Sequence, residues 1–168
     1  MTITAPQKTA PTSPSLQPEG WLRYLSFSVD HKVIGIQYLV CGFAFYLIGG
    51  AMAGAIRTEL LSPVSDFMAR DVYNQILTLH GTVMIFLWIV PVVNGAFGNY
   101  LIPFYVGARD MAYPRLNAVA FWLIPPAGLM LISSYFITGA AQSGWTAYPP
   151  LSITTPATGQ IIWILSVL

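Results

Sequence analysis

Charge is scarce in this chain. Only 8% of its 168 residues are Asp, Glu, Lys or Arg, and 55% are hydrophobic, whereas soluble domains usually carry about a quarter charged residues. That deficit excludes an ordinary globular domain with one oily core. Seven basic and six acidic side chains leave a formal net charge of +1. No basic cluster offers a footprint for nucleic acid. Cysteine is nearly absent too: Cys41 stands alone, which excludes an intrachain disulfide and a thiolate metal centre and leaves it as a small packing residue. There is no nucleophile triad, no acid–base carboxylate pair and no phosphate loop; "GGAMAG" lies inside an apolar segment and does not follow the phosphate-loop pattern. The start, "MTITAPQKTAPTSPSLQPEG", lacks the apolar stretch behind a basic end that marks a cleaved secretory signal. Its Thr, Pro and Ser read residues 1–20 as a disordered tail.

What the chain does have is apolar length. Three segments, 33–56, 72–106 and 116–138, each exceed the roughly 20 residues that cross a bilayer as helix. The expectation is an all-α, polytopic transmembrane helical bundle. Pro91 and Pro103 are expected to bend or interrupt the second helix, and Pro125 and Pro126 fall in the third. Backbone groups released by such bends need partners inside the protein, so both helices are expected to pack against others. Gly50 and Gly54, with Gly49 beside them, form a small-residue step that lets helices approach closely. The segment 21–27, aromatic and carrying Arg23, suits a turn or helix at the membrane surface, and Trp145 and Tyr148 suit an interface anchor. The final "IIWILSVL" opens a further apolar segment of eight residues, too short to cross. Residues 21–168 therefore read as part of a longer membrane domain, with three complete spans and the start of a fourth. An N-terminus on the cytoplasmic side puts Lys8, Arg23, Lys32, Arg109 and Arg115 inside, and Arg57 and Arg70 outside. Five against two follows the positive-inside tendency.

"NQILTLHGTVMIFLWIVP" places His80 in a run with no formal charge. Helical spacing puts Tyr73, His80, Met84 and Leu87 near one face. A charged imidazole is costly there, so the ring is expected to be neutral with a partner. Two readings stay open: a structural hydrogen bond between helices, or ligation of a metal or haem. Arg57 and Glu59 flank Thr58 and read either as a surface ion pair or, for Arg57, as a donor fork for a cofactor oxygen. Asp110, beside Arg109 and near Arg115, is either a boundary charge or a collecting point for protons. Asn94, Asn99 and Asn117 could line a path behind it as amides that orient water.

The words "DHKVIGIQYL", "IRTEL", "YNQILTLHGTVMIFLWIVP", "GAFGNYLIPFYVGARDMAYPRLNAVAFWLIPP" and "GWTAYPPL" together resemble the amino-terminal part of subunit I of the haem-copper oxidase family. The likeness is greatest to its cytochrome c oxidase branch in bacterial, cyanobacterial form, and it covers nearly all the chain after the tail. The resemblance implies part of a twelve-helix fold. It implies that His80 is an axial ligand of the low-spin haem, haem a, and that Arg57 donates to that haem's formyl group. Tyr73 falls near the same haem, and Trp145 and Tyr148 near haem propionates. Glu59 matches a position tied in some members to a non-redox cation. Asp110 matches the entrance acid of a proton-uptake path, with Asn99 and Asn117 as amides above it. His80 and Asn99 are nineteen residues apart, roughly 28 Å along a helix, which suits electron entry at one surface and proton entry at the other. The implied whole takes electrons from cytochrome c through a copper centre in subunit II. It also contains subunit III, and it reduces oxygen at a high-spin haem and copper B held by residues outside this sequence, while pumping protons across a bacterial plasma membrane or a cyanobacterial plasma or thylakoid membrane. On this reading the 168 residues alone are inactive. The alternatives are a quinol oxidase subunit I, which takes electrons from membrane quinol, and a non-catalytic membrane fragment.

Overall fold

The computed structural model describes residues 20–63, 67–137 and 139–168. The expected tail falls outside the described residues except for Gly20, which opens a 3-10 turn, Gly20–Leu25. Among the described residues the regular structure is all helical. Helix α1 is His31–Glu59, α2 is Arg70–Val106 and α3 is Pro114–Ile137. A single turn, α4, Leu151–Thr154, precedes α5, Ala157–Val167. Helices α1, α2 and α3 are each long and apolar enough to cross a membrane, and the chain is a polytopic membrane helical bundle. Their outward faces carry Val40, Leu47, Leu123 and Phe136, all exposed, as suits helices whose solvent is lipid.

Local signals set the ends. The Asp30 side chain accepts the Lys32 N–H at 2.8 Å and caps α1, satisfying one of the donors a helix start leaves unpaired. Gly107, at φ +67°, ends α2 in the left-handed conformation that glycine adopts without strain.

Helices α1 and α2 run antiparallel along a seam of glycines spaced by seven: Gly35 lies against Ala96 and Tyr100, Gly42 against Val92 and Trp88, and Gly49 against Met84 and Val83. A heptad step keeps one helix face on its neighbour. This corrects the expectation for Gly50 and Gly54. Their Cβ positions face open space, and Gly49 alone of that trio makes the close approach. Across the other side of α1, Gly128 of α3 admits the ring of Phe45, and Tyr38 meets Phe121 edge-on at 5.2 Å. The core forms in two layers, Phe45, Leu79, Val83, Leu87, Leu131 and Ala140 in one, and Ile34, Tyr38, Ala96, Ala118 and Phe121 in the other.

The prolines of α2 do not interrupt it. Instead the backbone widens to π-helix over Val83–Ile89 and Pro91–Phe97, and the Val90 N–H donates to the Ile85 carbonyl five residues back. Proline lacks an N–H and its ring crowds the carbonyl four residues earlier; a widened turn accommodates both. The same widening moves Leu87. An α-helical period puts it on the face of His80, but a π turn takes more residues per revolution and returns it to the core, where it is 5% exposed beside Val83 and Leu79. After α3 the chain folds back: Ala140 and Ala141 are buried, and Gln75 Oε1 accepts the Ala140 N–H at 3.0 Å.

Candidate functional site

His80 lies on α2, half-buried, directly across from α1. Its Nδ1 is 2.9 Å from the Gly49 carbonyl oxygen. A carbonyl only accepts, so Nδ1 carries a proton, and in a neutral ring Nε2 keeps its lone pair. This contact is the first of the two alternatives left by the sequence, and it is compatible with the second. The ring makes an interhelical hydrogen bond, and that same bond presents the other nitrogen as a donor atom for a metal. Gly49 makes it possible, because a Cβ there would stand 2.7 Å from Met84 Sδ and 3.3 Å from Val83 Cγ1. Larger residues would hold the helices apart and take the carbonyl away.

Beside His80 a flank between the two helices stays open. On α2 the row Tyr73, His80, Met84 and Trp88 is half-buried. On α1 the row Tyr46, Gly50, Gly54 and Arg57 is exposed. Tyr46 and Trp88 pack with ring centroids 4.9 Å apart, so the two rows border one another, and this aromatic pair closes one end of the flank. Cβ atoms at Gly50 and Gly54 would fill space that nothing else occupies. A flat, largely apolar group seated there would find a free imidazole nitrogen on one helix, a glycine cradle on the other and the Arg57 guanidinium at the far end of the glycine row. These features fit a haem. Trp145 covers the neighbouring position: its Cδ1 would be 2.9 Å from a Cβ on Gly81, and its ring lies 6.3 Å from that of Phe86.

The remaining candidate residues at this end divide. Tyr73 and Glu59 line a common cavity of about 500 Å³ with Leu60, Met68 and Arg70. Glu59 Oε2 accepts the Met68 N–H at 3.0 Å, and among the described residues Arg57 and Glu59 form no ion pair. Tyr148 is 72% exposed and is not joined to this group. Among the described residues no three His, Cys, Asp or Glu side chains are placed to hold a bare metal ion. His80 is a single imidazole, which is what haem iron takes from one side.

At the opposite end of α1 and α2 the polar residues are already partnered. Asn117 Nδ2 donates to Asn99 Oδ1 at 2.6 Å, and Asn99 Nδ2 donates to the Gly95 carbonyl at 2.6 Å. His31 Nδ1 lies 2.9 Å from the Asn99 carbonyl. Asp110 shares a cavity of about 370 Å³ with Val29, Asp30, His31, Lys32 and Arg109, and its Oδ1 accepts the Met111 N–H at 2.7 Å. Three residues singled out in the sequence, Asp110, Asn99 and Asn117, thus gather at one end, while Asn94 is exposed and takes no part. The residue missed is His31, which is 5% exposed and links the Asp110 cavity to Asn99. Its sequence signal is an ionisable side chain in the first turn of a spanning helix.

The family described as Cytochrome C and Quinol oxidase polypeptide I matches residues 33–168. The chain belongs to that family. Curated relatives agree. Cytochrome c oxidase subunit 1 of Thermostichus vulcanus is 62% identical over 148 residues, 88% of this chain and 27% of that protein. The protein of the same name from Synechocystis sp. is 59% identical over 168 residues, 100% of this chain and 29% of that protein. The one from Corynebacterium efficiens is 41% identical over 167 residues. The chain therefore spans under a third of the length of these oxidase subunits. His80, Arg57, Tyr73, Trp145, Tyr148, Glu59, Asp110, Asn99 and Asn117 all lie within the matched stretch, and His31 falls two residues before it.

Proposed function

We propose that this chain supplies the low-spin haem ligand and the proton entrance of subunit I of a cytochrome c oxidase. The observation that carries the reading is the bond from His80 Nδ1 to the Gly49 carbonyl, which leaves Nε2 free beside an open, glycine-lined flank. Bound there, a haem a supplies one-electron transfer. The chain's own residues then have distinct tasks. His80 would hold the iron through Nε2, with the Gly49 carbonyl fixing the ring and raising its basicity. Arg57 would donate to an oxygen on the haem edge and, through its charge, favour the reduced form. Trp145 and Tyr73 would border the group, while Tyr148, exposed here, is assigned with Trp145 to its propionate side by the family resemblance alone. Glu59, with the Met68 segment, is a weaker candidate for a non-redox cation. Asp110 takes protons from the aqueous side, and Asn99 and Asn117 orient water above it without titrating themselves.

In this reading the N-terminus is cytoplasmic and Lys32, Arg109 and Arg115 lie on the same side. Residues 21–168 belong to the twelve-helix domain. Subunits II and III are the partners, with cytochrome c as donor. The high-spin haem and copper B are held by residues of the longer protein, which reduces oxygen and pumps protons in a bacterial plasma membrane or a cyanobacterial plasma or thylakoid membrane. A quinol donor is the second reading, because the matching family description covers both donors; the relatives above, named for cytochrome c oxidase, favour the first. Oxygen uptake by the complete complex distinguishes them: the proposal expects turnover with reduced cytochrome c, and turnover with quinol alone would contradict it.

A further inference from the structure

On the side of α2 away from the open flank, a buried polar chain holds the segment that carries Trp145. Thr78 is fully buried. Its hydroxyl donates to the Asn74 carbonyl at 2.8 Å and accepts the Gly144 N–H at 2.9 Å. One turn along, Thr82 donates to the Thr78 carbonyl at 2.8 Å and accepts the Trp163 indole N–H at 2.8 Å, which ties α5 to the same helix. Ser143, next to Gly144, donates to Gln160 Oε1 at 3.0 Å. Gly144 opens a turn closed by the Ala147 N–H on its own carbonyl at 3.2 Å, and Trp145 is the next residue. The tryptophan is therefore placed by its neighbour's backbone bond to Thr78, two residues from His80 on the same helix.

We propose that Thr78 is a positioning residue for the low-spin haem site: its hydroxyl fixes Gly144, and through it sets the indole of Trp145 on Gly81 beside His80. The inference rests on the assignment of His80 as the haem ligand. A fully buried hydroxyl costs free energy unless both its donor and its acceptor are used, and this one uses both. Valine keeps the shape of threonine and removes the bond, leaving the Gly144 N–H without its partner, whereas serine keeps the hydroxyl.

The test is made in the complete oxidase, with hydrogen exchange over 144–148 and the visible spectrum of the reduced low-spin haem read on the same preparations. Thr78→Val is expected to speed exchange of the Gly144 amide on the order of fivefold to tenfold, the net worth of one hydrogen bond. It should shift the low-spin band while leaving the haem content unchanged. Thr78→Ser should behave as the parent in both measurements. Gly81→Ala, whose Cβ would press on Trp145 Cδ1 without touching the Thr78 bond, should shift the band in the parent's exchange background. It also keeps the question answerable if the valine variant does not assemble. An unmoved band in both variants overturns the proposal, as does unchanged exchange in Thr78→Val. Failure of the His80 assignment reads differently: His80→Leu would then keep the low-spin band, whereas the exchange of Gly144 in Thr78→Val would still rise.

Discussion

The two ends of the α1–α2 pair treat polar groups in opposite ways. At the Asp110 end Asn117, Asn99 and His31 are bonded to one another or to backbone, and Asp110 has a backbone donor at the mouth of its cavity. At the His80 end the imidazole has one nitrogen bonded to Gly49, and the flank beside it holds glycines whose Cβ positions are open. One end is bonded within itself; the other leaves open space beside a single imidazole. A hydrated proton needs only polar groups that are already aligned, whereas a haem needs apolar space and a free donor atom. The difference in packing therefore matches the difference in the tasks proposed for the two ends.

Changes that fill the His80 end break the comparison most strongly. Gly49→Val puts a branched side chain where a single Cβ already crowds Met84. It should cost about 1–3 kcal/mol of overpacking and move the carbonyl from His80, so that low-spin haem content of the purified subunit falls by more than half. Asp110→Asn attacks the other end alone. Proton uptake measured by dye or electrode should slow on the order of a hundredfold, the scale of a lost proton-transfer group, while the haem spectra stay those of the parent. A smaller effect is expected from Asn117→Ala, which strips the donor from buried Asn99 Oδ1. The cost is about 1–3 kcal/mol, seen as a lower thermal midpoint with an unshifted haem band. The smallest belongs to Glu59→Gln. It keeps an acceptor for the Met68 N–H, and stability should stay within about 0.5 kcal/mol. Loss in that variant of a cation-dependent change that the parent's haem spectrum shows would sharpen the case for Glu59 as a cation ligand.

Much of this could be read from the residues. Apolar length located α1, α2 and α3 within a few residues of their ends, and charge located Asp110 outside them. What the sequence could not supply was rotation about the helix axes. The glycines of α1 were visible, but which of them faced α2 depended on a seven-residue step through Gly35, Gly42 and Gly49, and Gly50 and Gly54 turned out to line open space. Leu87 was placed beside His80 by an α-helical period that the π turns around Pro91 do not keep. Thr78 looked like an ordinary polar residue in a helix, because its importance lies in a partner sixty-six residues away. His31 carried a signal, its charge type at the start of a span, but its link to Asn99 is a long-range contact that spacing does not reveal.

The most direct measurement is the nitrogen hyperfine coupling of the oxidised low-spin haem in the complete oxidase, with and without His80→Leu. The account predicts that an imidazole nitrogen coupling disappears together with the low-spin signal. A low-spin haem whose imidazole nitrogen coupling is unchanged in the leucine variant would contradict it.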